Sequence, residues 1–262
     1  MEWGEIIALI VAGLLVGFIN TLAGGGSIVS LSLLMLLGLP APVANGTNRI
    51  AIALQTLAGT ASFKKQKVLP VKKALLLAIP TTLGSLIGAW IAVDINEEIL
   101  EKAIGVIMLV MLFFILSNPQ KLIYGRADIM EKPLNWKIYI IFFFIGLYAG
   151  FIHMGVGYFF LAGIVFGAGF DLVKANAVKV FIILIYTPFT ILVFIFNDQI
   201  NWKYGLILAI GSVTGALISS RMAVKKGVIF VKWVIVVVIL FTAGYMFGLY
   251  DVKEFLSVFV KK

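Results

Sequence analysis

The stretch that decides the fold reads Asn20-Thr21-Leu22-Ala23-Gly24-Gly25-Gly26-Ser27, and it interrupts an otherwise apolar run over residues 6–39. Three consecutive glycines break a helix, because each adds backbone freedom and leaves its peptide groups without side-chain cover. Within lipid, such a break is tolerated only where protein or a water-filled cavity satisfies the freed backbone groups. Ser27 begins a new helical run, so the sequence predicts a helix N-terminus, which favours anions, inside a membrane.

The composition identifies the class of protein. Of the 262 residues, 62% are hydrophobic and 13% are charged, whereas a soluble domain is about 45–50% apolar and about 25% charged. The apolar runs are also too long and too uniform for a β-barrel, whose strands alternate over about ten residues. The sequence therefore predicts an all-α integral membrane bundle.

Other function classes lack the side chains that they require. The net charge of +9 comes from basic residues in short loops between apolar runs, a pattern that the positive-inside rule produces without any nucleic acid. The chain has no cysteine and a single histidine, His153, which excludes a cysteine-based or multi-histidine metal site. Since the apolar segments contain no phosphate loop and no paired carboxylates, we expect no enzyme and no cofactor.

Ten apolar segments follow one another along the chain. They are residues 5–22, 27–39, 43–63, 71–93, 98–117, 137–154, 157–170, 173–196, 203–220 and 229–249. Most approach the roughly 20 residues that span a bilayer, but 27–39 and 157–170 are shorter and each follows a glycine-rich break. The sequence therefore predicts about eight full spans and two short helical segments at broken or re-entrant helices.

Three motifs of the first half recur in the second half in the same order. Gly17-Phe18-Ile19-Asn20 recurs as Gly150-Phe151-Ile152-His153, Ala44-Asn45 as Ala175-Asn176, and Gly84-Ser85 as Gly211-Ser212. The alternative is chance similarity between glycine-rich apolar sequences, but ordered matches over a whole half favour duplication. We therefore expect a first membrane repeat at 1–118, a cytoplasmic linker at 119–136 and a second membrane repeat at 137–262.

The charges of the loops predict the orientation of the chain. One loop region carries Lys64, Lys65, Lys67, Lys72 and Lys73, and another carries Arg221, Lys225 and Lys226, so both are expected in the cytoplasm. The loop at 197–199 is then outside, which gives two repeats of inverted topology with both termini outside. Inverted repeats with broken helices are a common transporter design, in which substrate binds near the midplane. Eight full spans in parallel repeats are the alternative, and they would place Arg221 outside.

The segment at 43–63 opens with an unusually polar stretch, Ala44-Asn45-Gly46-Thr47-Asn48-Arg49. Asn45, Asn48 and Gln55 share one helix face. Their amides, the Thr47 hydroxyl and the planar Arg49 guanidinium can donate hydrogen bonds to an oxyanion. The alternative is structural, with Asn45 capping the helix and Arg49 extending to the outer interface.

The matching segment of the second half carries Asn176 and Lys179, which align with Asn45 and Asn48. A lysine within an apolar run is costly, and it usually faces a cavity or a partner. The alternative is a lysine that extends to the inner interface or pairs with Asp171.

The second break holds His153, which is followed by Gly155, Gly157 and Tyr158. Histidine titrates near neutral pH, so His153 is a candidate to sense or carry a proton. The alternative is a hydrogen-bonded packing residue.

The motifs of the first half resemble those of a known family. The stretch from Asn20 to Ser27, followed by Gly38-Leu39-Pro40 and then by the polar stretch from Ala44 to Arg49, is similar to the TauE/SafE family of sulfite exporter-like permeases. The resemblance implies transport of sulfite or related small organosulfur or organic anions across the bacterial inner membrane. It also implies first-half ligands at Asn20, Gly24, Gly25, Gly26, Asn45, Thr47 and Asn48. The second half departs from the family, since it reads Gly155-Val156-Gly157-Tyr158 where members commonly repeat a glycine triplet.

We therefore expect a secondary transporter of a small oxyanion, set in the lipid bilayer, with alternating access at the repeat interface. An anion channel of the same fold and a membrane scaffold without flux are the alternatives. The sequence leaves open the exact substrate, a coupling proton or sodium ion, and the oligomeric state. The expected substrate-binding residues are Asn20, Gly24, Gly25, Gly26, Ser27, Asn45, Thr47, Asn48, Arg49, Gln55, His153, Tyr158, Asn176 and Lys179.

Overall fold

The computed structural model describes residues 3–94 and 133–246, and these residues form helices and connecting loops without a β-strand. In the first half, α1 spans Trp3–Leu22, α2 spans Ser27–Leu36, α3 spans Ala41–Lys65 and α4 spans Val71–Asp94. In the second half, α5 spans Trp136–Phe151, α6 spans Val156–Ala162 and continues as a π-helix at Gly163–Gly167, α7 spans Leu172–Phe196, and α8 spans Trp202–Met246 with a break at Gly227. The predicted segment 98–117, most of the linker at 119–136 and the end of segment 229–249 lie outside the described residues.

Four of the described helices are long and apolar enough to cross a membrane, as judged by length and composition; they are Trp3–Leu22, Val71–Asp94, Leu172–Phe196 and Trp202–Gly227. The predicted short segments are shorter helices. Since α2 has 10 residues, it is about 15 Å long, which is half of the roughly 30 Å hydrocarbon core. The helical membrane architecture agrees with the prediction from composition.

Two pairs of helices pack backbone to backbone at equivalent glycines. A Cβ atom added to Gly17 of α1 would overlap the backbone of Ser212 in α8, and one added to Gly150 of α5 would overlap the backbone of Ser85 in α4. In the sequence repeat, Gly17 aligns with Gly150 and Ser85 aligns with Ser212. The same contact therefore occurs twice, each time between helices of different halves, and small residues permit this close approach in a membrane.

The long helices α3 and α7 cross each other in opposite directions. Near the start of α3, Gly46 lies against Phe194 at the end of α7, and later in α3, Gly59 lies against Val180 in the first half of α7. The α3–α4 loop and the α7–α8 loop therefore lie at opposite ends of this helix pair.

These two loops have the same backbone conformation. Lys67 has φ 59° and Asp198 has φ 53°, which are the only positive φ values at non-glycine residues in the described parts of the chain. The Lys67 N–H donates to the Lys64 carbonyl at 3.0 Å, and the Asp198 N–H donates to the Ile195 carbonyl at 3.1 Å. The turns after α3 and α7 thus share this positive φ and this hydrogen bond.

We expect Gly17→Ala and Gly150→Ala to destabilise the protein by similar amounts, about 1–3 kcal/mol each, because each added methyl group is forced against a backbone. Thermal unfolding in detergent measures the loss. In the control variant Gly59→Ala, the methyl group meets only the end of the Val180 side chain, so the change should be smaller. If either Gly17→Ala or Gly150→Ala were as stable as the wild type, the close backbone contact at that glycine would be wrong.

Candidate functional site

The two glycine-rich breaks touch each other inside the protein. Gly24, between α1 and α2, has φ 96°, and Gly155, between α5 and α6, has φ 69°, a region that favours glycine. A Cβ atom added to Gly24 would overlap the Cα of Gly157, and the reverse is also true. The Tyr158 ring lies against Gly25, so the second break covers the first.

Asn20 holds the first break in its conformation. Its Oδ1 accepts a hydrogen bond from the Gly26 N–H at 2.8 Å, and its Nδ2 donates to Ser27 Oγ at 3.3 Å. Both side chains are buried. Helix α2 begins at Ser27, as predicted. In this conformation Asn20 is hydrogen-bonded to Ser27 and to the backbone of Gly26 in the break.

Asn45 and Asn48 lie on a buried part of α3 and have different partners. Asn45 Nδ2 donates to the Phe151 carbonyl at 2.9 Å, and Asn48 Oδ1 accepts from Ser30 Oγ of α2 at 2.7 Å. Asn48 Nδ2 is buried and has no partner within the described ranges. Because the N-cap of α3 is Pro40, the alternative in which Asn45 caps the helix is wrong.

Arg49 is fully buried and binds the broken end of α5. Its guanidinium donates to the carbonyls of Ala149, at 3.1 Å, and Gly150, and to Thr190 Oγ1 at 3.3 Å. It also lies 4.8 Å from the centroid of the Phe194 ring. Carbonyls in the last turn of a helix lack intrahelical donors and favour a cation. The alternative in which Arg49 extends to the outer interface is therefore wrong.

Lys179 and Asn176 form the corresponding arrangement on α7. Lys179 Nζ donates to the Thr21 carbonyl at the end of α1, at 3.1 Å, and to Asn176 Oδ1 at 2.6 Å. Since an ammonium group can only donate, it fixes the orientation of the Asn176 amide, whose Nδ2 has no partner in the described part of the chain. Lys179 is 0% exposed, and Asp171 pairs with Lys174 at 3.7 Å, so both structural alternatives for Lys179 are wrong.

A small polar cavity lies where the breaks meet α3 and α7. Its volume is about 10 Å³, which is room for one water molecule. A sulfur oxyanion has several heavy atoms and does not fit, so the site is closed in this structure. The lining residues are Asn20, Thr21, Gly24, Gln55, Thr56, His153, Gly157, Val180 and Ile183.

Gln55 and His153 are buried polar side chains at this cavity. Gln55 Oε1 has no hydrogen-bond partner among the residues that the structure describes. His153 Nδ1 lies 2.8 Å from the Tyr186 hydroxyl of α7. His153 is thus hydrogen-bonded, as the packing alternative requires, and it also reaches the cavity.

Of the predicted ligands, only Asn20, Gly24, Gln55 and His153 are among the residues that line the cavity, and Thr47 is one of those that do not. Its Oγ1 accepts a hydrogen bond from the Asn201 N–H at 2.8 Å. This bond holds the α7–α8 loop against the start of α3, so Thr47 has a structural contact in this conformation.

Two residues of the site were not predicted from the sequence. Tyr186 is hydrogen-bonded to His153, and Thr190 is hydrogen-bonded to Arg49. Both lie on the face of α7 that carries Asn176 and Lys179, since positions 176, 179, 183, 186 and 190 recur at the three- and four-residue spacing of one helix face. This spacing is visible in the sequence, and following it from Asn176 and Lys179 along α7 would have identified Tyr186 and Thr190.

Comparison with known proteins leads to the same family as the sequence motifs. A family model described as sulfite exporter TauE/SafE matches residues 9–246. Probable membrane transporter protein ORF9 of Sinorhizobium sp is 28% identical over 232 residues, which cover 88% of this chain and 87% of that protein. Probable membrane transporter protein YfcA of Escherichia coli strain K12 is 26% identical over 231 residues, covering 88% and 85%, and YunE of Bacillus subtilis strain 168 is 24% identical over 261 residues, covering 89% and 96%. No solved structure matches the chain.

We expect Arg49→Met to destabilise the folded protein, because the carbonyls of Ala149 and Gly150 lose their buried donors. The expected loss is about 1–3 kcal/mol for each acceptor left unsatisfied, as measured by unfolding in detergent. The matched control is Arg221→Met at an exposed position, which should change stability by less than about 0.5 kcal/mol. Equal stability of Arg49→Met and the wild type would show that these bonds do not hold the break.

Proposed function

The chain belongs to the sulfite exporter TauE/SafE family of membrane transporters, and we propose that it is a secondary transporter of a small oxyanion. The proposed substrates are sulfite and related small organosulfur or organic anions. The proposed mechanism is alternating access at the interface between two repeats, in the inner membrane of the cell.

The observation that carries this proposal is a set of buried donors without acceptors. Asn48 Nδ2, Arg49 Nε and Asn176 Nδ2 have no hydrogen-bond partner within the described ranges, and all three residues are 0% exposed. A buried polar group left unsatisfied costs about 1–3 kcal/mol. These three donors fit a ligand that accepts hydrogen bonds, such as an oxyanion, whereas Gln55 Oε1 at the cavity is an unpartnered acceptor and does not contribute to this argument.

The buried charges support the same substrate class. Arg49 and Lys179 are fully buried, whereas no aspartate or glutamate is buried among the residues that the structure describes. A buried charge is costly unless a partner compensates it. An anion between these two cations would lower that cost.

We assign the residues of the site to two roles. The proposed ligands are Gly24, Gly25, Gly26, Ser27, Asn48, Gln55, His153, Tyr158, Asn176 and Lys179. The residues proposed to hold them in place are Asn20, Asn45 and Thr47, because their bonds go to the first break, to a helix end and to a loop. Arg49 holds the end of α5 through its Nη atoms and offers its Nε to the anion.

The opposite directions of α3 and α7 support an inverted arrangement of the two repeats. Equivalent helices that run antiparallel place their following loops on opposite sides of a membrane. The lysine-rich α3–α4 loop is then cytoplasmic by the positive-inside rule, and the α7–α8 loop and both termini are outside.

Sulfite should raise the melting temperature of the purified wild type, because a ligand that binds the folded state stabilises it by mass action. The comparison anions are sulfate, thiosulfate, sulfoacetate, pyruvate and chloride. Asn48→Ala should remain folded but lose both the shift and the transport of the anion into liposomes. The matched control is Asn197→Ala, whose amide binds the Val193 carbonyl near the end of α7.

Unchanged transport by Asn48→Ala would contradict the site. Flux that neither saturates nor couples to an ion gradient would indicate a channel. A protein without flux of any of these anions would fit a scaffold.

We propose that a proton is the coupling ion and that His153 carries it, because this side chain lines the cavity and an imidazole can bind and release a proton. His153→Gln keeps a polar side chain at the Tyr186 hydroxyl but cannot take up a proton. We expect sulfite flux by this variant to lose its response to a pH gradient in liposomes. A retained pH response would contradict the role of His153, and a response to a sodium gradient instead would identify sodium as the coupling ion.

A further inference from the structure

We group six of the described helices into two bodies that each contain helices from both halves of the chain, and α3 and α7 pack on each other across the boundary between these bodies. The first body consists of α1, α3 and α8. Helix α8 packs on α1 through the glycine contact at Gly17, and on α3 where the hydroxyls of Ser62 and Ser220 lie 2.8 Å apart. The second body consists of α4, α5 and α7. Helix α4 packs on α5 through the contact at Gly150 and shares a buried apolar cluster with the end of α7.

Polar side chains join the two bodies across the boundary that contains the cavity. Asn45 Nδ2 and Arg49 Nη1 of the first body lie 2.9 and 3.1 Å from carbonyl oxygens at the end of α5. Lys179 Nζ of the second body lies 3.1 Å from the Thr21 carbonyl at the end of α1. Each body therefore supplies donors to a broken helix of the other body.

The described chain passes from one body to the other at two loops, α3–α4 and α7–α8. These are the loops in which Lys67 and Asp198 adopt positive φ. Both residues occupy the left-handed position of a common helix C-cap, in which the Val68 N–H donates to the Phe63 carbonyl at 3.3 Å and the Gln199 N–H donates to the Phe194 carbonyl at 2.9 Å. Hinges are formed by a few residues at such helix ends, where the backbone absorbs the rotation.

We propose that transport takes place by movement of these two bodies about hinges at Lys67 and Asp198, and not by movement of one sequence half against the other. This inference rests on the proposed transport function. In the closed state, Lys179 uses the Thr21 carbonyl as an acceptor, and the cavity has room for one water molecule. When the bodies separate, Lys179 loses that acceptor and the anion replaces it. The anion thus binds the separated state more tightly than the closed state, as a population shift requires.

Cysteine cross-links test which parts move, and the chain has no cysteine of its own. The pair Gly59→Cys and Val180→Cys joins α3 to α7 across the boundary, because a Cβ atom at Gly59 lies 3.1 Å from Val180 Cγ1, within reach of a disulfide. The control pair Ser62→Cys and Ser220→Cys joins α3 to α8 inside the first body.

Each pair is compared with its own reduced form by sulfite flux into liposomes. We expect oxidation to lower the flux at least about tenfold for the pair across the boundary and less than about twofold for the pair inside one body, because gating motion limits transport. Equal flux by the oxidised and reduced forms of the Gly59/Val180 pair would overturn the proposal. A large loss for the Ser62/Ser220 pair would also overturn it.

Spin-label distances separate a failure of this proposal from a failure of the proposed function. Labels at Lys65 and Lys225 lie on one body, whereas labels at Lys137 and Lys225 lie on different bodies, and all three positions are exposed. We expect one distance population for the first pair, and for the second pair two populations whose ratio changes with sulfite. A single distance population for Lys137 and Lys225 that does not change with sulfite, in a protein that transports sulfite, would overturn the proposed movement of the two bodies. Two populations in a protein without sulfite flux would support the bodies and contradict the proposed substrate.

Discussion

The broken ends of α1 and α5 leave backbone carbonyls that need donors in a region where lipid offers none. The protein supplies these donors from the long helix of the other half, with Asn45 and Arg49 at the end of α5 and Lys179 at the end of α1. The arrangement is reciprocal, because each of these donors comes from the half of the chain that does not contain the break. The two glycine-rich breaks are thereby held in contact, and the polar cavity forms between them.

The same requirement explains why cations lie so deep in an apolar protein. An arginine or a lysine at a helix C-terminus interacts favourably with the carbonyls and with the helix dipole, which offsets part of the cost of its burial. Arg49 Nε and the Nδ2 atoms of the neighbouring Asn48 and Asn176 still lack partners in the described part of the chain. The groups that stabilise the breaks are therefore also the groups that we propose to bind the anion. In the transport mechanism that we propose, the anion must be released as well as bound, and acceptors within the protein would compete with it for Lys179.

The glycine-rich break, the aligned motifs and the buried polar positions were predictable, because each appears as a local departure from an apolar pattern. The family assignment followed from the first of these motifs and is confirmed by the match over residues 9–246. The packing partners were not predictable. A repeat shows that Gly17 corresponds to Gly150, but it does not show that Gly17 packs on Ser212 of the other half. Likewise, nothing near Arg49 in the sequence indicates that its partners lie about a hundred residues later, at the end of α5.

The most direct test of the account is a structure of the protein determined in the presence of sulfite. The account predicts an oxyanion between separated breaks, within hydrogen-bond distance of Lys179, Asn48 and Asn176. It also predicts that Lys179 no longer binds the Thr21 carbonyl. Sulfite bound only at the exposed lysines of the α3–α4 loop, with Gly24 still in contact with Gly157, would contradict it.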